Sequence, residues 1–262
     1  MRAVALTELV PRPPAGRVFA EQVRTGIGEA TATHRVRLDA IARWLQDAAY
    51  WDLVDAGWEA PQPWFVRRLR MRVERFPLFA EALDLVTWCS GTGPAVAERR
   101  TSIRGERGAA VEAVAQWVHL DPETARPRPL GDEFMAVYGP SAAGRRAPTR
   151  LRHPAPPDEP IAQRRFDFRV TDVDPARHVN NAVYWAAIEE ELADREAHAG
   201  VDAEVEHRAA ALPGPVRLLS DGAWGRPETA TWPSEAGPPV GHRWMVDDEG
   251  LLVASFVVRD AG

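Results

Sequence analysis

A long amphipathic helix followed by several strands occurs twice along this chain of 262 residues. The first helix is predicted from Leu38 to Gly57, because apolar residues recur there at steps of three and four and the glycine supplies a stop. The second is predicted over 179–200, and sliding the chain by 144 residues overlays the two helices and aligns His34 with His178. Because a helix with one apolar stripe must bury it against another layer, the repeat predicts two similar α+β units, each a helix wrapped by an antiparallel sheet.

Strands are predicted where apolar and polar residues alternate. In WFVRRLRMRVERF, apolar residues lie on one face and Arg68, Arg70 and Arg72 on the other, as in a half-exposed strand. The first half continues with candidate strands in ALDLVTWCSGTG, AVAERRTSIRGERG and AAVEAVAQWVHLD, separated by Gly-rich turns. The second half has QRRFDFRVTDVD before its helix and, after it, VEHRAAALPG, PVRLLSDGAWG and a hairpin turning at Asp247 to Gly250.

A stretch rich in proline, glycine and arginine separates the two halves. It runs over 126–160 and is not expected to sustain helix or sheet. We therefore predict an N-terminal unit over 1–140, a linker over 141–160 and a C-terminal unit over 161–262.

Composition excludes several classes of protein. No apolar run approaches the roughly 18 residues of a membrane span, and the first residues lack the pattern of a signal peptide, so we expect a soluble, cytoplasmic protein. A formal net charge of −6 argues against general nucleic-acid binding. Cys89 is the single cysteine, which excludes an intrachain disulfide and a cysteine metal cluster. It lies in a predicted strand without a histidine nearby, so a structural role is favoured over a nucleophilic one.

The densest cluster of polar residues is TDVDPARHVNNAVYWAAIEEE, which spans 171–191. Asp174 precedes His178 by four residues, and Asn180 and Asn181 follow at the predicted start of the second helix. An imidazole exchanges protons near neutral pH, a carboxylate can fix its tautomer, and free amides at a helix start can stabilise an oxyanion. The same residues also suit a simple capped helix start, in which Asn180 is the cap and His178 only packs.

The segment HVNNAVYW, within the frame D-V-D-x-x-x-H-V-N-N, resembles the second domain of plant and bacterial acyl-acyl-carrier-protein (acyl-ACP) thioesterases. LDAIARWLQDAA, WFVRRLRMRVERFP and DLVTWCSGTG in the first half have counterparts in the same order, so the likeness covers about residues 20–195. The resemblance implies two hotdog folds in tandem, packed as a pseudo-dimer, and hydrolysis of the thioester between a fatty acyl chain and the carrier's phosphopantetheine arm. It implies no metal and no cofactor.

The resemblance places the catalytic aspartate at Asp174 and the catalytic histidine at His178. It matches the asparagine pair to Asn180 and Asn181, and an acidic position on the same helix to Glu190. Two positions depart from the plant pattern, because Ala176 replaces a catalytic asparagine and a later catalytic glutamate falls near Ala210. Glu190, Glu206 or His178 itself must then activate the water, or activity is low.

Two further sets of residues are predicted to contact the substrate. Side chains from both helices are expected to line an acyl slot, with core packing as the alternative: Ile41, Trp44, Leu45 and Tyr184. The arginine face of Arg68, Arg70 and Arg72 is expected to dock the acidic acyl carrier protein, with solvated surface charge as the alternative. The first unit is expected to lack a complete site, and a fused pair is compatible with a monomer or a homodimer.

Two other functions stay open at this stage. Hydratases of the same fold that act on enoyl thioesters place the histidine five residues after the aspartate, whereas Asp172 and Asp174 lie six and four residues before His178. A non-catalytic protein that binds acyl groups or their carrier is favoured by the alanines at 176 and 210. The sequence also leaves open whether the acyl donor is a carrier protein or coenzyme A.

Overall fold

The computed structural model describes residues 4–58, 64–192, 200–222 and 241–261. Within these residues the strands are β1 (Val18–Arg24), β2 (Trp64–Arg75), β3 (Ala82–Thr92), β4 (Val96–Gly105), β5 (Ala110–His119), β6 (Ala162–Phe168), β7 (Val201–His207), β8 (Gly214–Ser220), β9 (Gly241–Asp247) and β10 (Leu252–Asp260). The helices are α1 (Leu38–Asp55), α2 (Asp132–Ala142) and α3 (Tyr184–Leu192), with 3₁₀ turns at Ile27–Glu29 and Val170–Asp172.

All ten strands belong to one antiparallel sheet, in the order β1-β3-β4-β5-β2-β7-β10-β9-β8-β6. The first five strands and the last five have the same topology read from opposite edges, and β2 and β7 join the halves through hydrogen bonds. The predicted α+β architecture of two like units is confirmed. The sheet closes over both long helices, so its inner face and the helices share one core, to which Ile41, Met71, Ile188 and Phe256 belong.

The first predicted helix and the final hairpin are confirmed in place, as α1 and as β9 with β10. The second predicted helix begins later than expected, at Tyr184, and positions 193–199 of the prediction lie outside the described residues. Strand β1 was not predicted. It pairs with β3 at one edge of the sheet and corresponds to β6 at the other.

The repeat has a different register from the one predicted. Thr31 donates its amide to the carbonyl of Arg35, and Asp174 does the same to the carbonyl of His178, which is a shift of 143 residues. His34 therefore corresponds to Arg177, and both adopt a left-handed backbone with φ of 65° and 64°. Aligning the two histidines was wrong, because the turn is defined by its backbone hydrogen bonds and not by side-chain identity. The counterpart of His178 is Arg35.

The expectation that 126–160 forms no helix or sheet is wrong for α2. Phe134 and Tyr138 lie on one face of this helix and pack against Trp58, with ring centroids 6.4 Å and 5.8 Å from it. Burial of this aromatic face outweighs the poor helix propensity of Pro140, which lies in the last turn of the helix. The predicted unit boundary at 140 falls inside α2.

After α2 the chain crosses the outer face of the sheet from one unit to the other. Ala147 donates its amide to Thr92 on β3, and the amides of Arg152 and His153 donate to Glu206 on β7. The N-terminal segment lies on the same face, where the amide of Thr7 donates to Glu204. The middle of the outer face is therefore covered by chain.

This cover explains why the predicted carrier-docking face is wrong. Arg68 is fully buried, with its Nη2 2.7 Å from Glu206 Oε1 on the paired strand. Arg70 forms an ion pair with Asp202, at 2.6 Å. Only Arg72 of the three keeps a substantially exposed side chain, at 40%. The alternation did predict one common face for these arginines, but not the segments that lie over it. Among the described residues no helix is long and apolar enough to cross a membrane.

Candidate active site

A tight turn between β6 and α3 builds the candidate site. It follows the 3₁₀ turn at Val170–Asp172 and is closed by the bridge between Val173 and Val179 and by the hydrogen bond from the amide of Asp174 to the carbonyl of His178. The amide of Val179 donates to Ala211, which ties the turn to the segment after β7. The turn therefore holds the backbone of Asp174 and His178 in a defined position.

The imidazole of His178 is fixed in one tautomer by its own chain. Nδ1 lies 3.0 Å from the carbonyl oxygen of Val179, and because a carbonyl can only accept, Nδ1 carries the proton. Nε2 is then the basic nitrogen. The side chain is 19% exposed and its ring lies edge-on to Phe65, with centroids 6.2 Å apart. His178 is thus accessible and set up to receive a proton at Nε2.

Asp174 stabilises the site by charge and through Asn180. Its Oδ2 is 3.9 Å from His178 Nδ1, too far for a hydrogen bond but close enough to stabilise an imidazolium. Asn180 donates from Nδ2 to the same oxygen at 3.3 Å, and Asn180 Oδ1 accepts from the amide of Ala182 at 2.9 Å. Asn180 therefore closes a turn ahead of α3, whose first residue is Tyr184, and its role as the helix cap stays a prediction. The tautomer, however, is set by Val179 and not by Asp174 as expected.

The start of α3 offers one backbone donor. The amides of Val179, Asn180, Ala182 and Val183 all donate to acceptors within the chain. The amide of Asn181 has no acceptor among the described residues, and Asn181 lines a small cavity beside the helix. A carbonyl oxygen placed there would gain this donor and the positive end of the helix.

Two site residues were not identified from the sequence. Gln46, on α1 of the first unit, donates from Nε2 to Asn180 Oδ1 at 2.9 Å. His207, at the end of β7, is buried, packs edge-on against Tyr184 and has no partner for either ring nitrogen among the described residues. Burial, together with the nearby charges of Arg67 and His178, lowers the pKa of His207 to about 3. No local pattern marks either residue, since each reaches the site through the fold.

The structure places the two candidate acids away from this group. Glu190 is 58% exposed and lies beside Arg164 of β6, with 3.9 Å between carboxylate and guanidinium. Glu206 is buried on the outer face, where Arg68 and the amides of Arg152 and His153 donate to it. The assignment of Glu190 to the catalytic group is not supported by these contacts.

Two cavities lie beside α1, the helix that was predicted to shape an acyl slot. A cavity of about 150 Å³ lies under the C-terminal half of α1, where Gln46, Leu53, Trp64, Trp117 and Phe134 line it. A second cavity of about 10 Å³, the space of one water molecule, is lined by Leu45, Gln46, Trp117 and Asn181.

Leu45 lines the smaller cavity, whereas the three other residues predicted for the acyl slot line neither cavity. Ile41 is fully buried in the core, Trp44 donates from Nε1 to Glu29, and Tyr184 packs on Phe168 and His207. Cys89 lines the larger cavity as a buried thiol, and burial raises its pKa to about 11. That pKa fits the structural role predicted for Cys89.

Among the described residues, one group has the composition of a metal site. His153, Glu204 and Glu206 are buried with ligand atoms within 4.8 Å of one another. Burial opposes ionisation of both glutamates, yet hydrogen bonds and charge from His153, together with the charge of Arg68, lower the pKa of each. Because their oxygens already accept from Thr7, Arg68, Arg152 and His153, this group is a buried ion-pair network on the outer face.

Comparisons with known proteins agree with the geometry. The family model described as the acyl-ACP thioesterase N-terminal domain matches residues 16–138, and the model described as the C-terminal domain matches residues 156–212. The chain is 28% identical over 185 residues to an uncharacterized protein of Mycobacterium tuberculosis, which covers 70% of this chain and 74% of that protein. These matches confirm the resemblance inferred from the sequence.

Solved structures share the fold. A putative oleoyl thioesterase of Lactobacillus plantarum superimposes with a TM-score of 0.72 at 19% identity, covering 94% of this chain and 96% of that one. A 12:0-ACP thioesterase of Umbellularia californica superimposes with a TM-score of 0.70 at 17% identity, covering 93% and 94%. The likeness extends over nearly the whole chain and confirms the predicted double hotdog.

Proposed function

We propose that this chain, which belongs to the acyl-ACP thioesterase family, hydrolyses fatty acyl-ACP with His178 as its general base. The observation that carries the proposal is the fixed tautomer of His178, whose Nδ1 lies 3.0 Å from the Val179 carbonyl and whose Nε2 is therefore basic. Asp174 and the Asn181 amide lie in the same turn. A base, a stabilising carboxylate and an oxyanion donor together fit attack of water on a thioester.

The reaction follows from these positions. Water gives a proton to His178 Nε2 while its oxygen bonds to the thioester carbon, and Asp174 stabilises the imidazolium that forms. The Asn181 amide and the α3 start hold the carbonyl oxygen as it becomes negative. The carbon–sulfur bond then breaks, the sulfur takes the proton from His178, and the products are a free fatty acid and the thiol of the carrier.

The position of the slot supports a fatty acyl substrate. The larger cavity runs beside α1 from Gln46 toward Leu53 and has mostly apolar and aromatic walls. Seven residues of helix correspond to roughly 10 Å at 1.5 Å per residue. The acyl chain would lie along α1 with its thioester near Asn181, so the first unit binds the chain and the second unit reacts.

A non-catalytic binding protein is the second candidate, because alanines at 176 and 210 stand where the plant enzymes have a catalytic asparagine and a catalytic glutamate. Release of free thiol separates the two functions. Acyl groups of several lengths, on acyl carrier protein and on coenzyme A, are incubated with the wild-type protein. We expect multiple turnovers and faster release from the carrier protein. Tight binding of acyl chains without any thiol release would reject hydrolysis and support the binding protein.

A further inference from the structure

The amide of Gln46 connects the turn that carries His178 with the acyl slot. It extends from α1 of the first unit to Asn180 in the second, and it lines both the 150 Å³ cavity and the smaller cavity beside Asn181. The candidate site is therefore built by both units. Gln46 would therefore contact a bound substrate at the junction between its thioester and its acyl chain.

The hydrogen bonds around Asn180 determine which way the Gln46 amide faces. Asn180 Oδ1 accepts from the backbone amide of Ala182, and Asn180 Nδ2 donates to a carboxylate oxygen of Asp174. Gln46 must therefore present Nε2 to Asn180 Oδ1, at 2.9 Å. Its Oε1 then points away from Asn180, and no described residue donates to that oxygen. Two lone pairs remain available to a molecule in the cavity.

A hydrolytic water needs an acceptor besides the base. His178 Nε2 takes one proton, and the second O–H group of the water must be held for its oxygen to face the carbonyl carbon. Ala176 and Ala210 have no acceptor side chain, and Glu190 and Glu206 contact other partners. Gln46 Oε1 is an acceptor to which none of the described residues donates, and the Gln46 side chain lines both cavities.

The position that corresponds to Gln46 in the other unit is a carboxylate that accepts hydrogen bonds from the protein itself. A shift of 143 residues relates Gln46 to Glu189 on α3. The carboxylate of Glu189 accepts from the amide of Leu38 and from Arg35. In the first turn the carboxylate of Glu189 thus ties the units together. In the second turn Gln46 donates through Nε2, and none of the described residues donates to its Oε1.

We propose that Gln46 is the water-positioning residue of the hydrolysis, so that the first unit supplies the group missing at Ala176 and Ala210. Water donates one hydrogen bond to Gln46 Oε1 and its other proton to His178 Nε2, and its oxygen attacks the thioester carbon. The inference rests on the proposed function, since it assigns a role within the reaction at His178.

Gln46→Met tests the assignment, because methionine keeps the length of the side chain and the Ala182 amide still holds Asn180. We expect kcat for acyl-ACP hydrolysis to fall about 10- to 100-fold with little change in KM. Asp47→Asn, an exposed change at the next position of α1, is the matched control and should leave both constants unchanged. Unfolding curves of the three proteins establish that each is folded.

Hydroxylamine distinguishes water positioning from a structural role. It attacks thioesters to give a hydroxamate and the free thiol, and it needs less activation than water. If Gln46 positions water, hydroxamate formation by Gln46→Met falls much less than hydrolysis, after subtraction of the uncatalysed rate. An equal loss of both reactions, or no loss of either, overturns the inference. Hydrolysis that survives His178→Ala unchanged, or wild-type protein that hydrolyses nothing, overturns the proposed function as well.

Discussion

The two turns that precede α1 and α3 have one backbone and different chemistry. Both close through the same hydrogen bonds and both place a left-handed residue at the same point, His34 in one and Arg177 in the other. In the first turn Arg35 is fully buried, 2.7 Å from Glu189, and also donates to the carbonyl of Leu192. In the second, His178 is accessible and Gln46 replaces the carboxylate.

The difference between the turns teaches that a duplicated fold keeps its geometry more readily than its site. An arginine with a buried carboxylate partner fills the first turn and ties the two units together. A histidine with a neutral amide occupies the second turn, where we propose that a substrate and a water bind. Two side chains at matched positions therefore distinguish a structural junction from the proposed reactive one.

His178→Ala addresses the reactive turn and has the largest expected effect. Loss of the base should lower kcat for acyl-ACP hydrolysis about 100- to 10,000-fold while the unfolding transition stays in place. The matched control is His34→Asn, because the sequence aligned His34 with His178 and the structure places it on the exposed side of the other turn. Measured thiol release that is equal in the wild type and His178→Ala would falsify the general-base assignment.

Arg35→Met addresses the structural turn. It leaves the carboxylate of Glu189 buried without its ion-pair partner, and we expect a loss of about 3–5 kcal/mol in the free energy of unfolding in urea. Arg72→Met removes a half-exposed arginine from β2 and should change the stability by less than about 0.5 kcal/mol. Equal stability of Arg35→Met and the wild type would show that the Arg35 ion pair does not hold the units together.

Acidification should weaken the second unit through His207. Its pKa of about 3 in the folded protein lies below the ordinary value near 6.5, so stability is fully present above pH 6.5 and is lost as the pH falls toward 3. Each pH unit below about 6.5 costs about 1.4 kcal/mol. His207→Phe should remove this slope between pH 6 and pH 4.5, and a comparison at pH 7.5 gives the packing effect alone. An unchanged slope in urea unfolding would mean that His207 is protonated in the folded protein.

Local patterns predicted much of the fold and brought together the residues of the second turn. The steps of three and four in α1, the alternation in β2 and the hairpin at Asp247 to Gly250 depend on neighbours along the chain, and each lies where expected. The cluster of Asp174, His178 and Asn180 lies within seven residues, so its members could be found together. Helix α2 was missed because aromatic burial against Trp58 outweighs a composition that disfavours helix.

The sequence by itself determined the two-unit plan, the family and the residues of the second turn, because each is encoded by spacing or by motif. Only the tertiary structure decided which other side chains reach the second turn. Glu206 and Arg68 lie 138 positions apart and neutralise each other under chain that covers the sheet, and Gln46 reaches Asn180 across 134 positions. Such contacts depend on how two helices and a shared sheet bring distant residues together, and no local pattern of side chains records that arrangement.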